Sequence, residues 1–240
     1  MAYTLSQSVE FARTYIQYSP LTVGTGNEPA ISIANEIQNT ITNAPIVWGW
    51  NRNENSSLTI NSSNQNYTVA LTDFNFLEKV TLTDNSGSVF EILDIYNNNA
   101  LGKANSSTNK QARPNSVSVL MVDYGTDVTL RFMSVPDQTY SVLLTYQMLV
   151  TPFTSLSQNW DIPDQYIDIY NSLFVGEAMA VVDDARSVQY RQRGVATLLA
   201  KADGLSQMQK DQFLMQYWTR DSQMLANQLR TQQAQQGRGI

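Results

Sequence analysis

Apolar positions recur three and four residues apart at both ends of this chain and two apart through its middle. Near the start, Val9, Ala12, Tyr15 and Ile16 fall on one helical face, predicting a helix over about residues 6 to 18 with Ser6 or Ser8 as its cap and Ser19-Pro20 as its end. A second amphipathic helix is predicted from Glu28-Pro29, with Ile33, Ile37 and Ile41 four apart, stopping at Asn43-Ala44-Pro45. From Leu58 the period becomes two. Strands are predicted over 58–60, 66–71, 77–83, 89–96, 116–122, 127–134 and 140–150, with Asp84-Asn85-Ser86-Gly87 as a hairpin turn. Between them, Asn97 to Asn115 is too polar to repay its own ordering and is expected to be a long mobile loop.

Helical periodicity returns at Trp160-Asp161-Ile162-Pro163, followed by a broad apolar stripe of Tyr166, Ile169, Tyr170, Leu173, Phe174 and Ala178. Asp183-Asp184 marks a break, after which Tyr190, Val195, Leu198 and Leu199 continue a helical pattern. Ser206-Gln207-Met208-Gln209 has the form of a capping box, opening a helix that places Leu214, Trp218, Leu225 and Leu229 along one side. The predicted fold class is α+β. A helical domain or platform is split into residues 1–52 and 159–225, with an antiparallel β-sandwich or small barrel over 53–158 inserted in it and residues 226–240 as an extended tail.

Composition narrows the chemistry. Among 240 residues there is no His and no Cys, which excludes imidazole bases, Ser-His-Asp and Cys-His machinery, thiolate metal sites and disulfides. Fifteen basic against 21 acidic residues give a net charge of −6, the wrong sign for general affinity to nucleic acid or an anionic membrane. No apolar run reaches the roughly 18 residues of a membrane span, and the first residues lack the pattern of a signal peptide.

The acid pairs Asp161/Asp164 and Asp183/Asp184 are sequence neighbours, whereas two-carboxylate hydrolysis needs a sugar-sized gap, so a helix start and a polar turn are the favoured readings. Asp123-Tyr124-Gly125-Thr126-Asp127 reads equally as a turn or as oxygen ligands for a hard cation. Gly24-Thr25-Gly26 lacks the rest of a dinucleotide motif. Arg186, Arg191 and Arg193 beside Tyr190 read first as a solvated helix face. Trp48 and Trp50 are expected as core anchors at the junction of helix and sheet, ahead of an exposed indole platform. No cofactor, metal or catalytic residue is predicted.

Several of these segments together resemble a known family. The helix pair ending in Trp48-Gly49-Trp50-Asn51-Arg52, the strand start Gln65-Asn66-Tyr67, the segment Asp73-Phe74-Asn75-Phe76-Leu77-Glu78, the helix opening Ile162-Pro163-Asp164-Gln165-Tyr166 and the Tyr190 helix after an acidic turn are similar to the head-to-tail adaptor, or tail tubular A type, proteins of podovirus-like bacteriophages. The likeness covers about residues 5 to 205. It implies a non-enzymatic virion protein of the neck, assembled in the host cytoplasm as a ring of about twelve copies between the portal protein and the tail nozzle or tail tube protein. DNA would pass through without specific binding. Under this reading Tyr166, Tyr170, Phe174 and Tyr190 are expected at the oligomer interface, Arg220, Arg230 and Arg238 in portal docking, and Trp48, Trp50 and Arg52 at the domain junction. The alternative is a β-sandwich tail component that binds carbohydrate or a receptor.

Overall fold

The computed structural model describes residues 3–16, 29–96, 111–123, 125–182, 184–202, 205–211 and 213–214. The fold is α+β, and the chain divides into two compact units: residues 42–150, and the described segments before and after them, through 41 and from 151.

In the helical unit, α1 (Leu5–Arg13) begins one step earlier than its apolar pattern predicts. Thr4, and neither Ser6 nor Ser8, is the cap. Its hydroxyl accepts from Gln7 N at 3.3 Å while Gln7 Oε1 accepts from Thr4 N at 2.8 Å, a reciprocal capping box. Helix α2 (Pro29–Thr42) starts at the expected proline and buries Ile33, Ile37 and Ile41. The third helical segment starts later than predicted, because Trp160 and Ile162 are buried in an extended approach, with Pro163 capping a 3-10 turn over Asp164–Tyr166. Helices α3 (Ile167–Val181) and α4 (Ser187–Lys201) follow. Ser206 and Gln209 form the predicted capping box, Ser206 N donating to Gln209 Oε1 at 2.9 Å.

Helices α3 and α4 run antiparallel at close range, since Gly176 faces Arg191 and Gly194 faces Leu173. A β-carbon at Gly194 would lie 2.6 Å from Leu173 Cδ2, and one at Gly176 would lie 2.8 Å from the Arg191 backbone nitrogen. The segment 151–160 ties this hairpin to the first two helices. Asn35 bonds both backbone groups of Phe153 (2.7 and 3.1 Å), and Gln38 Nε2 donates to Thr151 O at 3.1 Å. Leu5 N and Ser6 N donate to Gln158 O and Leu156 O, and Trp160 N donates to Tyr3 O.

The second unit is a β-sandwich. Strands β1 (Arg52–Ile60), β8 (Tyr140–Met148), β3 (Phe74–Asp84) and β4 (Val89–Glu91) form one sheet in that order; β2 (Asn66–Ala70), β7 (Asp127–Phe132), β6 (Ser116–Asp123) and β5 (Asp94–Tyr96) form the other. Both sheets turn alternate residues into one core, exemplified by Val80, Leu82, Val142 and Leu144 facing Val117, Val128, Leu130 and Phe132. The expected single strand over 89–96 is two strands. Ile92 is buried and Leu93 is exposed where the chain leaves one sheet for the other, and β5 then pairs parallel to β6, so the unit is not wholly antiparallel. The 84–87 turn forms as predicted, with Gly87 at φ 84°. The Ser86 hydroxyl and the Ser86 and Ser88 amides hold the Asp84 carboxyl below the usual carboxylate range.

Of the expected loop, residues 97–110 lie outside the described residues, but its end is fastened. Ala112 N donates to Val135 O at 2.9 Å, Arg113 lies 4.3 Å above the Phe90 ring, and Pro114 is buried.

The helix contacts predict that Gly194→Ala lowers stability although Ala is the better helix former by about 1 kcal/mol, because forcing a methyl into a packed interface costs about 1–3 kcal/mol. A thermal melt should therefore shift down, and a rise would disprove the close approach. Tyr170, 1% exposed, has a hydroxyl without a hydrogen-bond partner among the described residues, and burial, with Asp161 second, pushes its pKa well above the usual value. Tyr170→Phe should leave the melting temperature unchanged or raise it, since no hydrogen bond is lost and a buried polar atom disappears.

Candidate functional site

Two of the segments that carry the family resemblance, 48–52 and 73–78, meet on one sheet, whereas Asn66 and Tyr67 lie on the other sheet and 162–166 and Tyr190 in the helical unit. Trp48, 1% exposed, precedes a 3-10 turn over Gly49–Asn51, and its backbone N–H donates to Gln147 Oε1 at 3.0 Å. Gln147 is fully buried on β8 and passes the connection on, its Nε2 donating to Glu78 Oε2 of β3 at 2.9 Å. Glu78 receives both arms of Arg52 from the start of β1, through Nε at 2.8 Å and through Nη2. Asn51 Nδ2 donates to Met148 O at 2.8 Å. The Glu78 hydrogen bonds hold the Arg52 pKa above its ordinary value.

A companion cluster sits along the same strands. Tyr146 OH donates to Asp73 Oδ1 at 2.8 Å, Asn53 Nδ2 reaches Asp73 Oδ2 at 3.1 Å, and Leu149 N donates to Asp73 O at 2.6 Å. Burial, followed by the Asp73 carboxylate, pushes the Tyr146 phenol up to about 12. Every strong donor and acceptor here is directed at another part of the fold. The arrangement holds β1, β3 and β8 in register. Trp50, half-buried, has its ring 6.0 Å from that of Trp48. With Trp48 sealed, the two indoles do not make an exposed platform.

The expected interface residues separate into two pairs. Tyr170 and Phe174 are buried in the helical unit of a single chain, Tyr170 at 3.9 Å from the Trp160 ring, whose indole N–H in turn donates to Ser8 Oγ at 3.1 Å. This corrects the expectation for both: their stripe is broad because segment 151–160 and other helices of the same chain cover it. Tyr166 and Tyr190 are half-buried at the surface, Tyr166 beneath Lys201 at 5.8 Å and Tyr190 edge-on to Tyr15 at 5.5 Å. Arg220, Arg230 and Arg238 lie outside the described residues.

The basic cluster on α4 also disperses. Arg191 is buried against Glu177 in a salt bridge between α3 and α4, correcting its placement on a solvated face. Arg186 pairs with Asp184 at 2.6 Å and holds that carboxyl below the usual range, while Arg193 stays exposed. The neighbouring acids act as local clamps. Asp161 Oδ2 accepts from Thr151 N at 2.8 Å and Asp164 Oδ1 from Tyr3 N at 3.3 Å. Asp123 and Asp127 face each other across the β6–β7 turn, where Gly125 takes φ 89°. Among the described residues no group of three acidic side chains is placed to hold a metal ion.

Arg193 and Tyr190 do contribute to a concavity of about 300 Å³ that the sequence pattern did not announce. Phe11 and Tyr15 of α1 and the turn after it form one wall, Ile167 and Asn171 of α3 the floor, and Tyr190 and Arg193 of α4 the other wall. Phe11 and Tyr15, four apart with rings 5.3 Å from each other, are its signal in the sequence, although the apolar periodicity includes Tyr15 and not Phe11. Asn171 is oriented by Tyr3 OH at 3.2 Å and Ser8 Oγ at 3.4 Å.

Gln147→Leu tests the network. It preserves bulk but removes the acceptor for the Trp48 amide and the donor to Glu78, so unfolding free energy should fall by about 1–3 kcal/mol, the usual penalty for stranded buried polar groups. Chemical denaturation measures it, and an unchanged midpoint would show that water or a rearranged side chain replaces the bridge. Against known proteins, no family model matches this chain and no curated protein sequence matches it.

Proposed function

We propose that this chain is a structural part of a tailed-phage neck, a head-to-tail adaptor that forms a ring between portal and tail nozzle and surrounds the path of the DNA. The observation that supports the reading is the convergence of two of the resemblance-bearing segments, 48–52 and 73–78. Trp48, Asn51, Arg52, Asp73 and Glu78 all bond to neighbouring strands or to the β8 end, so the motif that suggests the family is a framework motif, as a scaffold protein requires. The insertion of a β unit between two halves of a helical unit agrees with the organisation the resemblance implies.

A ring role needs surfaces and charge more than reactive groups. The net charge of −6 suits a wall past which phosphate must slide, because like-charge repulsion prevents adhesion. Sugar or receptor binding by the β unit is the weaker reading, since burial of Trp48 removes the paired-indole surface that favoured it.

The test is to mix purified full-length protein with a portal ring of a podovirus-like phage and image the product by negative-stain electron microscopy. A second ring stacked on the portal is expected, closed by rotational symmetry and of about twelve copies as the resemblance implies. Protein that never decorates a portal, and instead binds glycans on an array, would replace this reading with the receptor-binding one.

A further inference from the structure

We infer that the concavity between α1, α3 and α4 is the seat for a second copy of this chain. The inference rests on the ring reading and adds to it the surface through which neighbours would join.

Composition is the first argument. Tyr15, Tyr190 and Phe11 supply large rings with few rotamers to freeze, Arg193 supplies a planar cation, and Tyr and Arg are the residue types over-represented where protein partners bind. At about 300 Å³ the space lies at the bottom of the range for small-molecule sites but accommodates one or two protruding side chains. The second argument is charge. Arg186, Arg191 and Lys201 are each matched by a carboxylate, and Asp168 in the concavity is already taken by Lys201 at 2.6 Å. The exposed Arg193 guanidinium has no hydrogen bond or salt bridge among the described residues. The same helical unit carries Asp161 and Asp164, exposed carboxylates that accept from backbone amides and that no described cation neutralises.

An uncompensated cation framed by aromatic rings, on a chain with an acidic surplus, therefore complements another copy of that chain. Made head to tail, as the ring reading requires, the contact is heterologous. Repeated with a closing rotation, it generates a ring.

The experiment places the photoreactive residue benzoylphenylalanine at position 190 of the full chain, with position 89 on the β unit, where Val89 is 65% exposed, as control. Samples are irradiated alone at high concentration and after mixing with portal rings. Crosslinked dimers and higher ladders are expected from 190 and not from 89. Arg193→Glu, an exposed change that leaves the melting temperature alone, should cut the crosslinked yield about tenfold, the effect of losing roughly 1.4 kcal/mol of contact energy.

Stacked rings that form on portal without a crosslink at 190 would overturn the seat while leaving the neck role standing. Crosslinked dimers from 190 that never join a portal would keep the seat and remove the neck role. Equal crosslinking at 89 and 190, or a chain that stays monomeric in every condition, would overturn the seat.

Discussion

The helical core exists only if two distant parts of the sequence meet. Residues before 42 and after 150 form one compact unit, with Leu5, Val9 and Ile37 buried from the first part and Tyr170, Leu173 and Phe174 from the second. Trp160 is the joint. It lies against Phe153 at 4.7 Å and Tyr170 at 3.9 Å and donates its indole N–H to Ser8. Burying a ring of this size removes roughly 150–250 Å² from water, on the order of 4–6 kcal/mol at 25 cal/mol/Å², against about 1 kcal/mol net for each hydrogen bond. Apolar burial thus drives the closure. The bonds from Leu5, Ser6, Asn35 and Gln38 to the 151–160 segment decide its register.

Closure of this core determines what is left for the surface. With Tyr170 and Phe174 consumed inside and Arg191 neutralised by Glu177, the half-buried Tyr190 and the exposed Arg193 remain at the surface of the α3–α4 hairpin. The glycines at 176 and 194 let the two helices approach closely enough for this to happen. Larger residues there would separate the helices and move the wall on which Tyr190 and Arg193 stand.

The β unit answers a different constraint. Its inner faces are ordinary alternating apolar positions, but the outer face of β8 carries Thr145 and Gln147, both buried. A buried amide is tolerable only when its groups are bonded, and Gln147 meets that condition by linking the Trp48 backbone to Glu78. Polar satisfaction, more than apolar burial, therefore fixes how the strand that begins at Arg52 joins its sheet. That is a reason for Trp48, Asn51 and Arg52 to occur as a block.

By itself the sequence determined the α+β class, the β segment between two helical ones, the proline start of α2, the 84–87 turn and the Ser206 capping box, because each follows from periodicity or from bonds spanning a few residues. The Thr4 cap is equally local, since Thr4 and Gln7 form the same kind of box as Ser206 and Gln209, but the sequence did not determine the division of 89–96, whose two halves are separated by the need of Ile92 for the core. Nor did it distinguish core from surface within the stripe of α3, since periodicity states which side of a helix is apolar and not what covers that side. The links from Arg52 to Glu78 and from Trp48 to Gln147, the burial of Arg191 and the concavity around Asn171 belong to tertiary structure alone. Each depends on side chains brought together from separate elements, and a one-dimensional pattern contains no information about which elements will be neighbours.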